Sequence, residues 1–239
     1  MKRKIDANYS SEEDSAEPAQ IGSCWIRWER LDLPSWLEGR LFVRDMPADG
    51  DCFFHAVASA LDKQFPASGN EPESNSSSST PSSADLSVSK LRNVVGREFE
   101  HIDDWETIRD ICAAEEESRP ELEQKLRGVS DRSELRSLLQ QRGAVFANHL
   151  LIDLLQKGLD KDATHLSFVI FHENGGETLL QNQSESSKCI LLRLRGCPMG
   201  HYQLCGVKRV DGVVAGALSM QDIHNLADSS CGESKPALP

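Results

Sequence analysis

Basic residues are scarce in this sequence: 26 Lys and Arg stand against 38 Asp and Glu, a net charge of −12 over 239 residues. So acidic a chain repels phosphate backbones, which argues against nucleic acid as a partner and favours a partner with basic patches. Long apolar runs are absent as well. No stretch approaches the roughly 20 apolar residues that a membrane helix needs. The opening Met1-Lys2-Arg3-Lys4-Ile5-Asp6 runs into acids and serines without the apolar segment of a secretory signal. No membrane partner is expected, and the expected compartment is the cytoplasm or nucleus. Cysteines number seven, with no Cys-x2-Cys spacing, so a disulfide framework is not expected. The grouping of Cys197, His201 and Cys205, with Cys189 upstream, invites a metal test. Residues 202–207 read as strand, which separates His201 from Cys205 by roughly 13 Å at about 3.3 Å per residue. One ion cannot bridge that span, and no metal is expected.

Three stretches are too polar to join a core: residues 1–20, 66–85 and 226–239. They read as a disordered N-terminal tail, a flexible insertion with eight serines and three prolines, and a disordered C-terminal tail. One domain over residues 21–225 is expected around the insertion. Within it Leu41-Phe42-Val43 reads as a short strand and residues 45–51 as turn chemistry. Their three aspartates resemble a calcium loop, but no terminal Glu follows. From Cys52 the spacing of Phe53, Phe54, Val57, Ala58 and Leu61 predicts a helix, and Val88, Leu91, Val94, Val95 and Phe99 share one face of another. Asp103-Asp104-Trp105-Glu106 is a capping-box-like start to a third helix. Pro120 opens a short helix, and Asp131 caps one that runs to about Gln141. An amphipathic segment runs from Phe146 to about Gln156 and ends at Gly158. Residues 166–171, 178–180, 189–195 and 202–210 read as strands, the first two joined by a turn at Gly175-Gly176. Helices come first and strands cluster late, so the fold class is α+β with one sheet. Residues 103–123 carry nine acids against Arg109 and Arg119, a solvated helix face.

The chemistry concentrates in Asp49-Gly50-Asp51-Cys52-Phe53-Phe54-His55-Ala56-Val57. A cysteine that opens a helix after a Gly-containing turn meets unsatisfied backbone N–H groups and the positive helix end. That setting is expected to lower the thiol pKa and to stabilise a developing oxyanion. Such a thiolate needs a proton acceptor from elsewhere in the fold, usually an imidazole.

The stretch 47–56 resembles the nucleophile motif of the ovarian tumour (OTU) family of cysteine deubiquitinases: Asp-Gly-x-Cys, then aromatic or leucine residues, then a basic residue before Ala. Two further marks follow in order. Residues 146–155, Phe-Ala-Asn-His-Leu-Leu-Ile-Asp-Leu-Leu, are similar to a family helix, with Phe146 where Trp is common. Gly200-His201-Tyr202-Gln203-Leu204 is similar to the closing strand that delivers the family's histidine. Together these cover about residues 40–210.

The resemblance implies a papain-like OTU fold with a single central sheet packed between helices. It implies Cys52 as nucleophile and His201 as general base, with Asp49 shaping or polarising the site. The Cys52 N–H and the turn at Gly50 and Asp51 would form the oxyanion hole. Gln203 stands where the family often places an Asp, Asn or Glu that orients the ring, and an amide oxygen can still accept the Nδ1–H bond. His149 and His172 read as packing residues. The implied activity is a thiol isopeptidase on ubiquitin or polyubiquitin, monomeric and free of any cofactor. The alternatives are a weak or inactive ubiquitin-binding module, and a protease acting on a ubiquitin-like modifier or a polyprotein. Leu192-Arg193-Leu194-Arg195-Gly196 also repeats the Leu-Arg-Leu-Arg-Gly of the ubiquitin tail, which reads as an alternating strand that happens to use arginine.

Overall fold

The computed structural model describes residues 20–21, 25–30, 33–61, 83–116, 118–184, 186–196 and 200–231. Its centre is a nine-stranded mixed sheet. The strands are β1 (Gln20–Ile21), β2 (Trp25–Arg27), β3 (Leu41–Arg44), β4 (Leu166–His172), β5 (Glu177–Leu180), β6 (Lys188–Arg195), β7 (His201–Lys208), β8 (Val214–Ala215) and β9 (Ala217–Ser219). The order is β1-β2-β3-β7-β6-β4-β5, with β8 on β7 and β9 on β6. β4 and β6 run parallel; the other pairs are antiparallel. The helices are α1 (Cys52–Leu61), α2 (Ser83–Phe99), α3 (Trp105–Glu115), α4 (Pro120–Arg127), α5 (Arg132–Gln140), α6 (His149–Lys161) and α7 (Met220–Cys231). Among the described residues no helix is long and apolar enough to cross a membrane.

Alternation along the strands splits the core in two. Leu166, Phe168 and Ile170 of β4 face Phe53, Val57, Val95 and Leu155 of the helical layer. Phe171, Leu191, Cys205 and Val207 face Leu37, in a short 3-10 turn at Ser35–Leu37, and Leu226 of α7. The sheet is therefore covered on both faces, which fits the expected α+β class with one central sheet. Local chemistry sets the helix starts. Asn148 caps α6 by accepting the Leu151 N–H at 2.9 Å, Asp131 caps α5 through Glu134, and Pro120 opens α4.

Several boundaries differ from those the sequence suggests. Asp104 rather than Asp103 caps α3, by accepting the Thr107 N–H at 3.2 Å. The helix α2 begins at Ser83, so residues 83–85 belong to it and not to the insertion. Residues 226–231, assigned by composition to a disordered tail, lie in α7, where Leu226 is buried against the sheet. β7 ends at Lys208 because residues 209–212 turn back toward β8. The expected tail at 1–19, the bulk of the insertion, at 66–82, and residues 232–239 lie outside the described residues. Most described acids of 103–123 face solvent, but Glu116 is buried. It accepts the Phe146 N–H at 3.0 Å and pairs with Arg119, whose guanidinium lies 3.6 Å from the Phe146 ring centre.

Gly158 does not end α6, which continues to Lys161. The glycine is there for packing: a Cβ would overlap Val94 Cγ1 and lie 2.8 Å from Glu98 Cγ on α2. Val94 is β-branched and cannot swing away freely. Gly158→Ala should therefore lower stability by about 1–2 kcal/mol despite alanine's better helix propensity. Urea denaturation reads this directly, and a gain in stability would contradict the close approach of the two helices.

Candidate active site

The chain leaves β3 at Arg44, reverses through Gly50 at φ +85°, and enters α1 on Cys52. A Cβ at Gly50 would lie 2.9 Å from Gly143 Cα, so the turn needs glycine both for its dihedral and for the approach of the loop before α6. β3 stops opposite Leu204, two residues short of Tyr202 on β7. The sulfur of Cys52 takes the Tyr202 backbone N–H instead, at 3.3 Å. Tyr202 points into the core against Phe53, ring centres 5.3 Å apart, and its hydroxyl donates to the Ala147 carbonyl. Strand alternation turns its neighbours His201 and Gln203 to the other face.

The three carboxylates of the turn have different main partners, and Arg142 reaches both Asp49, at 3.4 Å, and Asp51. Asp45, just past β3, bonds His201 Nε2 at 2.8 Å and accepts from Gln203 Nε2 at 3.0 Å, both on Oδ1. Asp49 bonds His55 Nε2 at 2.9 Å through Oδ2 and accepts the Asp51 N–H at 2.9 Å through Oδ1. Asp51 is fully buried against Arg92, whose Nε donates at 2.6 Å. Its other oxygen accepts from the Gly143 N–H at 3.1 Å and from Arg142 Nε at 3.2 Å. Arg92 is also buried, and it donates to the carbonyls of Leu139 and Val145 while lying over the Phe54 ring. Among the described residues no group of three or more His, Cys, Asp or Glu could hold a metal ion. His201 and Cys205 lie on one continuous strand, and Cys197 is outside the described residues.

These contacts sort the candidate residues. Cys52 and the strand that starts at His201 come together. Asp49 shapes the turn and holds His55. The Asp51 N–H, assigned by sequence to an oxyanion hole, is already bonded to Asp49. Gln203 holds Asp45, and it is Asp45 that contacts the His201 ring. His149 is not a packing residue but exposed at the first position of α6, and His172 is half-buried on the Thr178 hydroxyl. Arg193 and Arg195 pair with Glu173, as an ordinary alternating strand would allow.

Sequence reasoning missed Asp45 and Arg92. Nothing local marks Asp45, because its role follows from the register of β3 on β7. Arg92 did leave a signal: it falls on the apolar stripe of Val88, Val95 and Phe99, where a charge requires a buried counter-ion.

The thiol departs from expectation. Burial pushes the Cys52 pKa up, outweighing the N–H groups of Tyr202, Phe53 and Cys52 itself, and the Asp49 charge adds to the rise. Partial burial works to raise Asp45, but the hydrogen bonds from Gln203 and His201 and the His201 charge hold it below the usual carboxylate range. Cys112 and Cys189 are pushed up by burial to about 12 and about 11. Comparison with protein-family models finds no matching family, and comparison with curated proteins finds no matching relative.

Two outcomes follow. Because the Cys52 pKa is raised, its alkylation by iodoacetamide should still be climbing with pH above the ordinary cysteine range; a plateau reached by pH 7 would contradict this. Arg92→Met leaves the Asp51 carboxylate buried without its main counter-ion and should cost about 3–5 kcal/mol in thermal or urea unfolding. Adding Asp51→Leu should restore part of that loss; a single variant as stable as the parent would contradict the buried pair.

Proposed function

We propose that this chain is a thiol isopeptidase that cleaves after the C-terminal glycine of ubiquitin or polyubiquitin, built on a papain-like fold of the OTU kind. One observation carries the reading: the Cys52 sulfur at the head of α1 takes the backbone N–H of Tyr202, and the adjacent His201 is held by Asp45. The resemblance of residues 47–56, 146–155 and 200–204 to the OTU motifs supports it. The acidic excess of the chain suits a substrate tail that carries arginines. The reading includes the cytoplasm or nucleus, where a thiol stays reduced.

In the proposed reaction His201 takes the thiol proton as Cys52 Sγ bonds to the glycine carbonyl carbon. Asp45 occupies Nε2, so Nδ1 handles the proton, and the carboxylate stabilises the imidazolium that forms. The carbonyl oxygen gains the negative charge and is met by the backbone N–H of Cys52 at the head of α1. His201 then gives its proton to the lysine nitrogen, the C–N bond breaks, and the amine leaves a thioester on Cys52. Water attacks that thioester while His201 takes a proton from it. The C–S bond breaks, ubiquitin leaves as its carboxylate, and the proton returns to sulfur. A buried, neutral resting thiol suits this order, in which proton transfer accompanies attack. No cofactor enters the scheme.

The test uses ubiquitin carrying a C-terminal alkyne electrophile. The full chain should form a covalent adduct, and Cys52→Ala should abolish it. His201→Ala should slow it by roughly 10²–10⁴-fold. Asp45→Asn should slow it less, because that carboxylate is largely exposed. Ubiquitin binding without any adduct would replace the enzyme with a binding module, and an adduct that survives Cys52→Ala would remove Cys52 from the chemistry. Labelling by a ubiquitin-like modifier in preference to ubiquitin would change the substrate and keep the mechanism.

A further inference from the structure

The arginines of Leu192-Arg193-Leu194-Arg195-Gly196 take no part in that reaction, yet the β6–β7 ladder places them beside the imidazole. Arg195 is the cross-strand partner of His201, and Arg193 is the partner of Gln203. Residues directly opposite in a ladder project from the same face, so both guanidiniums share the face that carries His201. Arg193 lies over the Trp28 ring at 4.8 Å, and Arg30 lies over Phe171 at 5.3 Å. Near them stands the exposed carboxylate of Glu173, 3.4 Å from Arg193 Nη2 and 3.6 Å from Arg195 Nε, with the Gly196 N–H on its other oxygen. Both pairs are long and the Arg195 pair is half-exposed, and a pair of that kind contributes little and exchanges readily with another carboxylate. Arg193 Nε and Gln203 Oε1, on facing residues, are buried without a hydrogen-bond partner among the described residues. The row beside His201 thus keeps polar capacity that its own side chains leave unused.

We propose that Arg195, backed by Arg193, binds a carboxylate on the leaving side of the scissile bond. The favoured substrates are then ubiquitin conjugates whose modified lysine is flanked by Asp or Glu. This inference rests on the isopeptidase reading above. Charge decides which side of the bond the patch serves. The ubiquitin tail Leu-Arg-Leu-Arg-Gly is itself basic, and like charges set against each other are excluded from an interface. That tail is drawn instead toward α3, whose Cys112 meets Asn148 next to the Ala147 carbonyl that Tyr202 bonds, and whose last residue is the exposed Glu115. The arginine side remains for the lysine-bearing partner, and a carboxylate there completes a charge-assisted contact that Glu173 makes only loosely.

The experiment measures kcat/KM of the full chain on ubiquitin joined through an isopeptide bond to three short fluorescent peptides. These carry Glu, Ala or Lys on both sides of the acceptor lysine. The Glu peptide should be cleaved roughly three- to fivefold faster than the Ala peptide, with the Lys peptide slowest. The spread should shrink as salt is raised, and Arg195→Glu should invert the order. Equal rates on all three peptides, or a Glu preference that survives Arg195→Glu, would overturn this inference and leave the isopeptidase reading standing. A chain that cleaves none of them would overturn both. The parent's ratios decide the matter even if the variant fails to fold.

Discussion

Asp51 comes immediately before the candidate nucleophile, and its carboxylate is wholly withdrawn from water. A charge in that position has to be matched, and the match comes from two segments far from it in the chain: Arg92 on α2, and the Arg142 side chain and Gly143 N–H of the loop before α6. Arg92 is itself buried and spends its remaining donors on the carbonyls of Leu139 and Val145. The turn at Gly50, the start of α1 and the position of the Cys52 sulfur all depend on this cluster. A buried ion pair is weak support for stability, because desolvation offsets much of its attraction. Its contribution here is to geometry: a single arrangement satisfies the carboxylate, and that arrangement places a helix N-terminus under strand β7.

A second constraint organises the other side of the sulfur. The segments that flank the thiol carry two imidazole–carboxylate couples, His55 with Asp49 and His201 with Asp45. They differ in their surroundings. His55 is buried within α1 and ties the turn to the helix, whereas His201 is part-exposed at the mouth of β7, where a substrate can approach. The strand β7 that carries His201 beyond the end of β3 also pairs it with Arg195 on β6. One ladder therefore sets the orientation of the candidate base and the charge of its immediate neighbourhood.

Much of this was readable in the amino-acid order. Apolar spacing marked α1 and α2, the Asp131 cap marked α5, the turn residues marked the hairpin at Gly175 and Gly176, and the motif around Cys52 marked it as the candidate nucleophile. Misreadings came where a local cue had a long-range competitor. Gly158 looks like a helix stop because glycine is a poor helix former, but contact with α2 is what requires it. Glu116 looks like one more solvated acid until the Phe146 N–H and Arg119 close around it. The thiol was expected to ionise easily at a helix N-terminus, and burial reverses that direction.

Residue identity and short-range spacing determined which elements form, where Cys52 opens its helix, and that a glycine must precede it. These depend on dihedral preferences and on groups within a few positions of one another. Only the tertiary structure decided the pairing of charges. Asp45 rather than Gln203 meets His201, Asp49 meets His55, and Asp51 meets Arg92, because each pairing is set by strand register or helix packing between segments 6 to 156 residues apart. Sequence spacing carries no information about such distances in space, and burial, which fixes the charge state of the thiol, exists only once those segments have come together.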